Sequence, residues 1–152
     1  MTRLLTLVAL SLAIAFAPAS GEEESERIHV TAEIVEQTFT GDLANPKVGD
    51  RLISSVELFD KKDKKVGTGG GVCTVVSVPE SLEAKDIVIQ CLLSASFDQG
   101  QITFGGLAQF PETEAVAQFG ILGGTGEFRE AEGEATLVVI SPTLQETTFD
   151  LD

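Results

Sequence analysis

The stretch RLISSVELFDKKDKKVGTGGGVCTVVSV, residues 51–78, contains the pattern on which the fold prediction rests. From Arg51 to Leu58, residues alternate with the period of two that is typical of a β-strand. A lysine-rich turn at Lys61–Lys65 separates this strand from a second one, which runs from Val66 to Val78. The glycines inside the second strand indicate bulges, strong coiling or a close approach of two backbones. The stretch therefore predicts a hairpin in a tightly curved antiparallel sheet.

Strand-like segments continue on both sides of this hairpin. They are residues 28–35, 87–97, 101–110, 115–122, 135–140 and 144–151. Short turns rich in Gly, Pro and Asp separate most of them, and only Glu127–Glu132 favours a helix, of one or two turns. Eight strands without βαβ spacing predict an all-β fold, a single eight-stranded antiparallel β-barrel, since closure removes exposed sheet edges. A sandwich of two sheets is the alternative that the pattern leaves open.

The composition excludes several classes of function. The 152 residues contain 10 Lys and Arg against 24 Asp and Glu, a formal net charge of −14. Such a charge argues against nucleic acid or an anionic membrane surface as a partner, because both require basic patches. The absence of Trp and Tyr removes the usual stacking platforms for sugars and bases. The length and a hydrophobic content of 43% predict one globular domain.

The amino terminus has the pattern of a secretory signal peptide. Arg3 precedes an apolar run from Leu4 to Phe16, and Ala17-Pro18-Ala19 forms an A-x-A cleavage site. The run is too short to span a bilayer, which needs roughly 20 residues. The mature chain is therefore expected to be secreted, without a membrane anchor after cleavage. The expected organisation is a signal peptide at 1–19, a flexible acidic leader at 20–27 and the barrel domain at 28–152.

The two cysteines are expected to face each other. If Val78 and Asp86 flank the next hairpin turn, Cys73 lies directly opposite Cys91 on the neighbouring strand. Directly opposed residues have Cβ atoms about 4.5–5.5 Å apart, which is close to the separation that a disulfide requires. The sequence thus predicts a disulfide in an oxidising compartment. A pair of small apolar side chains, or a reactive thiol facing the lumen, is the alternative.

Few other side chains form a candidate catalytic or metal site. Glu33 is either solvated or held inside the barrel, where desolvation favours the neutral form and suits a carboxylate to acid or base catalysis. His29, the sole histidine, is expected at the surface, and no cluster has the spacing of a metal site. The glycine-rich segments lack the Lys-Ser/Thr ending of a phosphate loop. The acidic residues between 112 and 134 are expected to form a solvated face, with a weak calcium site as the alternative.

Three segments resemble those of allene oxide cyclases and plant dirigent proteins. They are VGDRLISSVELFDKKDKKVGTGGGVCTVVSVPE (48–80), ITFGG (102–106) and GILGGTGEFREAEGEATL (120–137). The resemblance implies an eight-stranded lipocalin-like barrel with a hydrophobic lumen that binds a small hydrophobic molecule. Such a barrel would promote cyclisation or isomerisation, or direct stereochemistry, without a cofactor. The resemblance also implies a homo-oligomer, a dimer or a trimer.

The resemblance implies roles for particular residues. Glu33 matches the carboxylate of a Glu-Ile-Asn motif that pairs with a developing positive charge, with Val35 in place of the Asn. Cys73 matches a cysteine of the cavity, and Phe104 and Phe119 are further candidate ligand-binding residues of the lumen. The main alternative is a non-catalytic exported barrel that carries a ligand or has a structural role. A calcium-dependent surface module is the third hypothesis.

Overall fold

The computed structural model describes residues 26–80, 86–110 and 112–152, which form eight antiparallel strands. The strands are β1 (Glu26–Phe39), β2 (Arg51–Phe59), β3 (Lys65–Ser77), β4 (Val88–Phe97), β5 (Gly100–Gln109), β6 (Val116–Gly124), β7 (Gly133–Ser141) and β8 (Leu144–Leu151). The predicted signal peptide and most of the predicted leader lie outside the described residues. Within the described part, no helix is long and apolar enough to cross a membrane.

The sheet closes on itself. Each strand pairs with the next along the chain, and β1 also pairs with β8, so the order β1 to β8 forms one closed barrel. This confirms the predicted eight-stranded meander and excludes the sandwich. Strand β1 begins at Glu26, two residues before the predicted start, because Glu26 and Arg27 continue the ladder opposite Leu151 and Asp150. Arg27 also forms an ion pair with Asp150 at this end of the closing ladder.

The hairpin of β2 and β3 has the predicted turn and curvature. Residues 60–64 connect the two strands, in agreement with the predicted lysine-rich tip. Gly67, Gly69 and Gly71 lie directly opposite Phe97, Ala95 and Leu93 of β4. A Cβ atom added at Gly67 would lie 2.2 Å from the backbone oxygen of Ser96. Only glycine therefore permits β3 to coil this closely against β4.

The helical prediction for Glu127–Glu132 was too long. The structure contains a 3₁₀ helix of one turn at Gly126–Phe128, between β6 and β7. Phe128 is its buried residue, and the ring lies 5.9 Å from that of Phe97 in an edge-to-face contact. The apolar contact of one side chain thus anchors the turn, while the acidic residues that follow it are largely exposed.

The interior of the barrel has two unlike halves. We call one half of the barrel the filled half. It contains the carboxyl ends of β2, β4, β6 and β8, and aromatic and aliphatic side chains pack together there. Its core residues are Val30, Leu58, Phe97, Ile102, Phe104, Phe128, Phe149 and Leu151. We call the other half the hollow half. It contains the amino ends of the same four strands. A cavity occupies the hollow half.

Candidate functional site

The cavity of the hollow half has a volume of about 310 Å³. Most of its wall consists of inward-facing side chains of all eight strands and of the segment after β5. These residues are Gln37, Leu52, Ser54, Cys73, Ile89, Cys91, Leu93, Ala108, Phe110, Ala117, Phe119, Leu137, Val139 and Gln145. The wall is largely aliphatic and aromatic, which is typical of sites for small organic ligands.

Three neutral polar side chains interrupt the apolar wall. Gln37 lies directly opposite Ser54 across the β1–β2 ladder, and Gln145 lies opposite Val139 across the β7–β8 ladder. All three line the cavity, and none of their side chains hydrogen-bonds to another described residue. Their amide and hydroxyl groups are therefore available to a ligand, as donors or as acceptors.

One ionisable side chain is found among the residues of the described cavity wall. Glu112 follows β5, is exposed, and lines both the cavity and the shallow bowl outside it. Because its carboxylate lies at the rim and in contact with water, the deeper part of the wall presents no charge. An uncharged molecule fits such a surface best, since a buried charge without a partner is strongly disfavoured.

The predicted disulfide is present and forms part of the cavity wall. Cys73 of β3 and Cys91 of β4 are directly opposed, with Cα atoms 4.0 Å apart and the sulfur atoms bonded. The β3–β4 ladder has the register that the positions of Val78 and Asp86 predict. The free-thiol alternative is therefore wrong for this structure. Both cysteines line the cavity, and the bridge connects two strands of the hollow half.

Phe104 and Phe119 both face the interior, as predicted. Both are buried, and their rings are 6.1 Å apart. Phe119 lines the cavity, whereas Phe104 lies deeper and contacts Phe149 of the filled half at 5.1 Å. Phe119 is therefore placed to contact a ligand, while Phe104 forms the floor between the two halves of the barrel.

The prediction that Glu33 faces the lumen is wrong. Its side chain is exposed and lies on the outer face of β1, between the inward-facing Ala32 and Ile34. Opposite Glu33 are Glu57 of β2 and Leu144 of β8. Glu33 is not in the cavity wall, so it cannot act on a molecule bound there.

Among the described residues, neither the histidine nor a group of metal ligands lies in the cavity wall. His29 lies on the outer face of β1, where its Nδ1 is 3.0 Å from the hydroxyl oxygen of Thr148. Among the described residues, no group of three or more His, Cys, Asp or Glu side chains could hold a metal ion.

The cavity extends in two directions. At the end of the barrel it meets a bowl of about 520 Å³ that includes Phe39, Leu43 and Phe110. The rings of Phe39 and Phe110 touch edge to face at 6.0 Å where bowl and cavity meet. The cavity also extends to the barrel wall between β5 and β6, where its lining includes the exposed residues Leu107 and Val116.

The comparisons with known proteins agree with this architecture. A sequence model of the allene oxide cyclase barrel-like domain matches residues 27–149. Among curated proteins, no sequence matches the chain significantly. A solved structure of a pyocyanin demethylase superposes with a TM-score of 0.68 at 27% identity, covering 84% of this chain and 100% of the other.

Two further structures show the same fold at low identity. One is AbnU, described as an exo-specific intermolecular Diels-Alderase, with a TM-score of 0.66, 19% identity, and coverage of 83% of this chain and 98% of the other. The other is described as a nonspecific heme-binding cyclase that catalyses a [4 + 2] cycloaddition during neoabyssomicin biosynthesis. It gives a TM-score of 0.69 at 17% identity, covering 84% of this chain and 67% of that protein.

Proposed function

The chain belongs to the family of allene oxide cyclase barrel-like domains, and on that premise we propose that its hollow half binds a small, uncharged, largely apolar molecule. We further propose that the barrel holds this molecule in the conformer that leads to ring closure. The observation that carries the proposal is the cavity of about 310 Å³ with an apolar wall and three unpartnered neutral polar groups. A barrel whose interior served only stability would be filled by side chains, as its other half is.

The lining favours a reaction without proton transfer. The described wall offers no acid or base apart from the exposed Glu112, and its cysteines are joined in a disulfide. Ring closures by concerted bond reorganisation require no proton donor. They are accelerated when a flexible substrate is held with its reacting atoms close together. The cycloadditions named for two of the structural neighbours are reactions of this kind.

Hydrogen bonds from uncharged side chains can orient and polarise the substrate. The amides of Gln37 and Gln145 and the hydroxyl of Ser54 can orient a carbonyl or hydroxyl group of the substrate. A hydrogen bond to a carbonyl also withdraws electron density from an adjoining double bond, which promotes cycloaddition. In surroundings of low polarity such a hydrogen bond has a larger effect than in water.

The same lining supports a second candidate function, a non-catalytic ligand-binding barrel. A neutral, apolar wall is sufficient for carrying a hydrophobic molecule, and nothing beyond binding would then be required. The two functions differ in one measurement, the conversion of linear molecules with a conjugated diene and a second double bond into rings. A barrel that binds members of such a panel and converts none of them is a carrier.

We also propose that the chain acts outside the cytosol. The sequence pattern of residues 1–19 supports export, and the bridge between Cys73 and Cys91 supports an oxidising compartment, since such bonds are rare where thiols are kept reduced. The mass of the protein recovered from the medium or the periplasm tests this proposal. A protein that keeps residues 1–19 would contradict it.

Binding is tested with N-phenyl-1-naphthylamine, an uncharged probe that fluoresces in apolar surroundings. The probe should bind the wild-type protein with one site. Leu137→Trp fills the cavity from inward-facing Leu137, whereas Val138→Trp, one residue further on β7, places the same ring outside. Leu137→Trp should weaken binding at least about tenfold, which corresponds to about 1.4 kcal/mol, and Val138→Trp should not. Equal binding by both variants would contradict the proposal.

A further inference from the structure

The wall of the barrel is interrupted between β5 and β6. The β5–β6 ladder comprises four residue pairs, from Ile102 opposite Gly124 to Gly105 opposite Gly120, whereas the β4–β5 ladder comprises ten. In the described strands, no pairing between β5 and β6 continues beyond Gly105 and Gly120. The next residue, Gly106, has a φ of +151°, a backbone conformation that other residues rarely adopt. The ladder therefore ends at this point, and we call the unpaired stretch between residues 106–109 of β5 and 116–119 of β6 the gap.

The cavity extends into this gap. Its lining includes outward-facing Leu107 and Val116, which are 64% and 62% exposed, as well as inward-facing Ala108 and Phe119. Residues that point to both faces of β5 and β6 thus line the cavity, which therefore reaches the part of the wall where the two strands form no ladder.

The strand residues on both sides of the gap are uncharged. Strands β3 to β6 contain a single charged residue, Lys65, although the whole chain has a formal charge of −14. Two exposed aliphatic side chains flank the opening, and Gln109 and Gln118 complete its rim. By contrast, the opening at the end of the barrel has the Phe39–Phe110 ring contact and the carboxylate of Glu112.

The gap also offers main-chain hydrogen bonds. In an antiparallel strand every second N–H and C=O group points to the same neighbour. Residues 106–109 of β5 and 116–119 of β6 face each other without forming a ladder, so part of their main-chain groups point into the gap. An apolar molecule that carries a carbonyl, hydroxyl or amide group can bind these groups as it passes.

We propose that the gap between β5 and β6 is the passage through which the ligand reaches the lumen, and that this ligand is uncharged and apolar with one or a few hydrogen-bonding groups. The inference rests on the proposed binding function. It adds a route and a selectivity for uncharged molecules, because the facing strand residues 106–109 and 116–119 carry no charge.

The test introduces Trp at exposed positions beside the gap and beside the bowl and compares the effects on ligand binding. Val116→Trp and Leu107→Trp narrow the gap from outside, where a larger side chain does not disturb the core. Leu122→Trp, also exposed on β6, is the control for added bulk on the same strand, and Leu43→Trp narrows the bowl. Since the sequence has no Trp or Tyr, emission of the introduced indole reports the exposure of the new ring, and far-UV circular dichroism checks that each variant is folded.

The measurement is stopped-flow binding of N-phenyl-1-naphthylamine to the disulfide-bonded protein. Val116→Trp and Leu107→Trp should lower the association and dissociation rate constants by about tenfold, with Kd changed less than about twofold, because a narrowed passage slows both directions equally. Leu122→Trp and Leu43→Trp should bind at wild-type rates. Wild-type rates in both gap variants, or slowing by Leu43→Trp alone, would overturn the proposal.

Equilibrium titration of the wild-type protein separates the two hypotheses. If the probe does not bind at all, the proposed function fails and the passage with it. If the probe binds and only the kinetics disagree, the passage is wrong and the binding function stands. An anionic analogue, 1-anilinonaphthalene-8-sulfonate, should associate at least about tenfold more slowly than the uncharged probe, and equal rates would refute the selectivity.

Discussion

The two halves of the barrel reach a stable interior by different means. In the filled half, the ring of Phe149 contacts those of Phe104 and Phe97 edge to face at 5.1 and 6.3 Å. In the hollow half, a cavity replaces this packing, and a covalent bridge from Cys73 to Cys91 connects two strands of its wall. Packing thus stabilises the half without a site, and a crosslink that requires no filled core stabilises the half with one.

The largest effect is expected from truncation in the filled half. Phe149 is 1% exposed and contacts two other rings, so Phe149→Ala removes an aromatic side chain that is fully enclosed. The variant should lose about 4 kcal/mol of the free energy of unfolding, the middle of the range for such changes. Urea unfolding measures this loss. A loss below about 1 kcal/mol would mean that the filled half is not the stabilising one.

The next largest effect is expected from opening the disulfide. The bridge closes a loop with a sequence separation of 18, for which the chain-entropy model gives about 3 kcal/mol. The Cys73→Ala, Cys91→Ala double variant should show this loss in unfolding experiments. Reductant should destabilise the wild type and leave the double variant unchanged. Equal stability of the two oxidised proteins would show that the hollow half is stable without its crosslink.

A smaller effect is expected from the same aromatic truncation beside the cavity. Phe119 contacts Phe104 on one side and the cavity on the other, so Phe119→Ala removes fewer packing contacts than Phe149→Ala. We expect a loss of about 2 kcal/mol, below the usual range for Phe→Ala. Binding of N-phenyl-1-naphthylamine should also weaken. A loss as large as that of Phe149→Ala would remove the distinction between the two halves.

The smallest effect concerns the turn between β2 and β3, which lies at the filled end. Main-chain N–H groups of Lys64 and Lys62 donate to Oδ1 of Asp60 at 3.0 and 2.8 Å. These hydrogen bonds, that of Lys64 first, hold the pKa of Asp60 below its ordinary value. The contribution of Asp60 to stability is therefore fully present above the ordinary pKa and disappears as the pH falls through the lowered one.

Asp60→Asn should consequently lower the unfolding temperature slightly at pH 7. The difference from the wild type should shrink as the pH falls below about 4, where Asp60 becomes protonated in the unfolded chain, and disappear once it is protonated in the folded protein as well. Thermal unfolding at several pH values measures this trend. A difference that stays the same from pH 7 to pH 2 would assign the effect to the shape of the turn instead of its charge.

Much of the fold could be predicted from local sequence. The alternation in β2 and the lysine-rich turn determine a hairpin, and the positions of Val78 and Asp86 determine the register that joins Cys73 to Cys91. Ser54 already stands on the apolar face of the predicted strand, so its place in the wall followed from the same alternation. Such features depend on neighbours along the chain or on one hairpin.

The remaining parts of the site depend on relations that local patterns do not contain. Alternation places Glu33 on the outer face, opposite in direction to Val30 and Ala32, and only the resemblance of a motif indicated the lumen. A register shift between Ile34 and Glu36 then changes which residues face inward, so Gln37 reaches the cavity out of phase with the start of the strand. The gap between β5 and β6 depends on the length of a ladder between distant segments.

The short β5–β6 ladder also has a consequence for motion. In a closed barrel, freeing any strand requires breaking the main-chain hydrogen bonds on both of its sides, so amide protons should exchange with solvent slowly and together. Here the β5–β6 ladder, with four residue pairs, is the shortest of the barrel. Brief opening of this ladder, without global unfolding, would let the amide protons near Gly106 and Phe119 exchange with solvent first. A bound ligand that bridges β5 and β6 would slow that exchange, so the exchange rates of these amides would report whether the cavity is occupied.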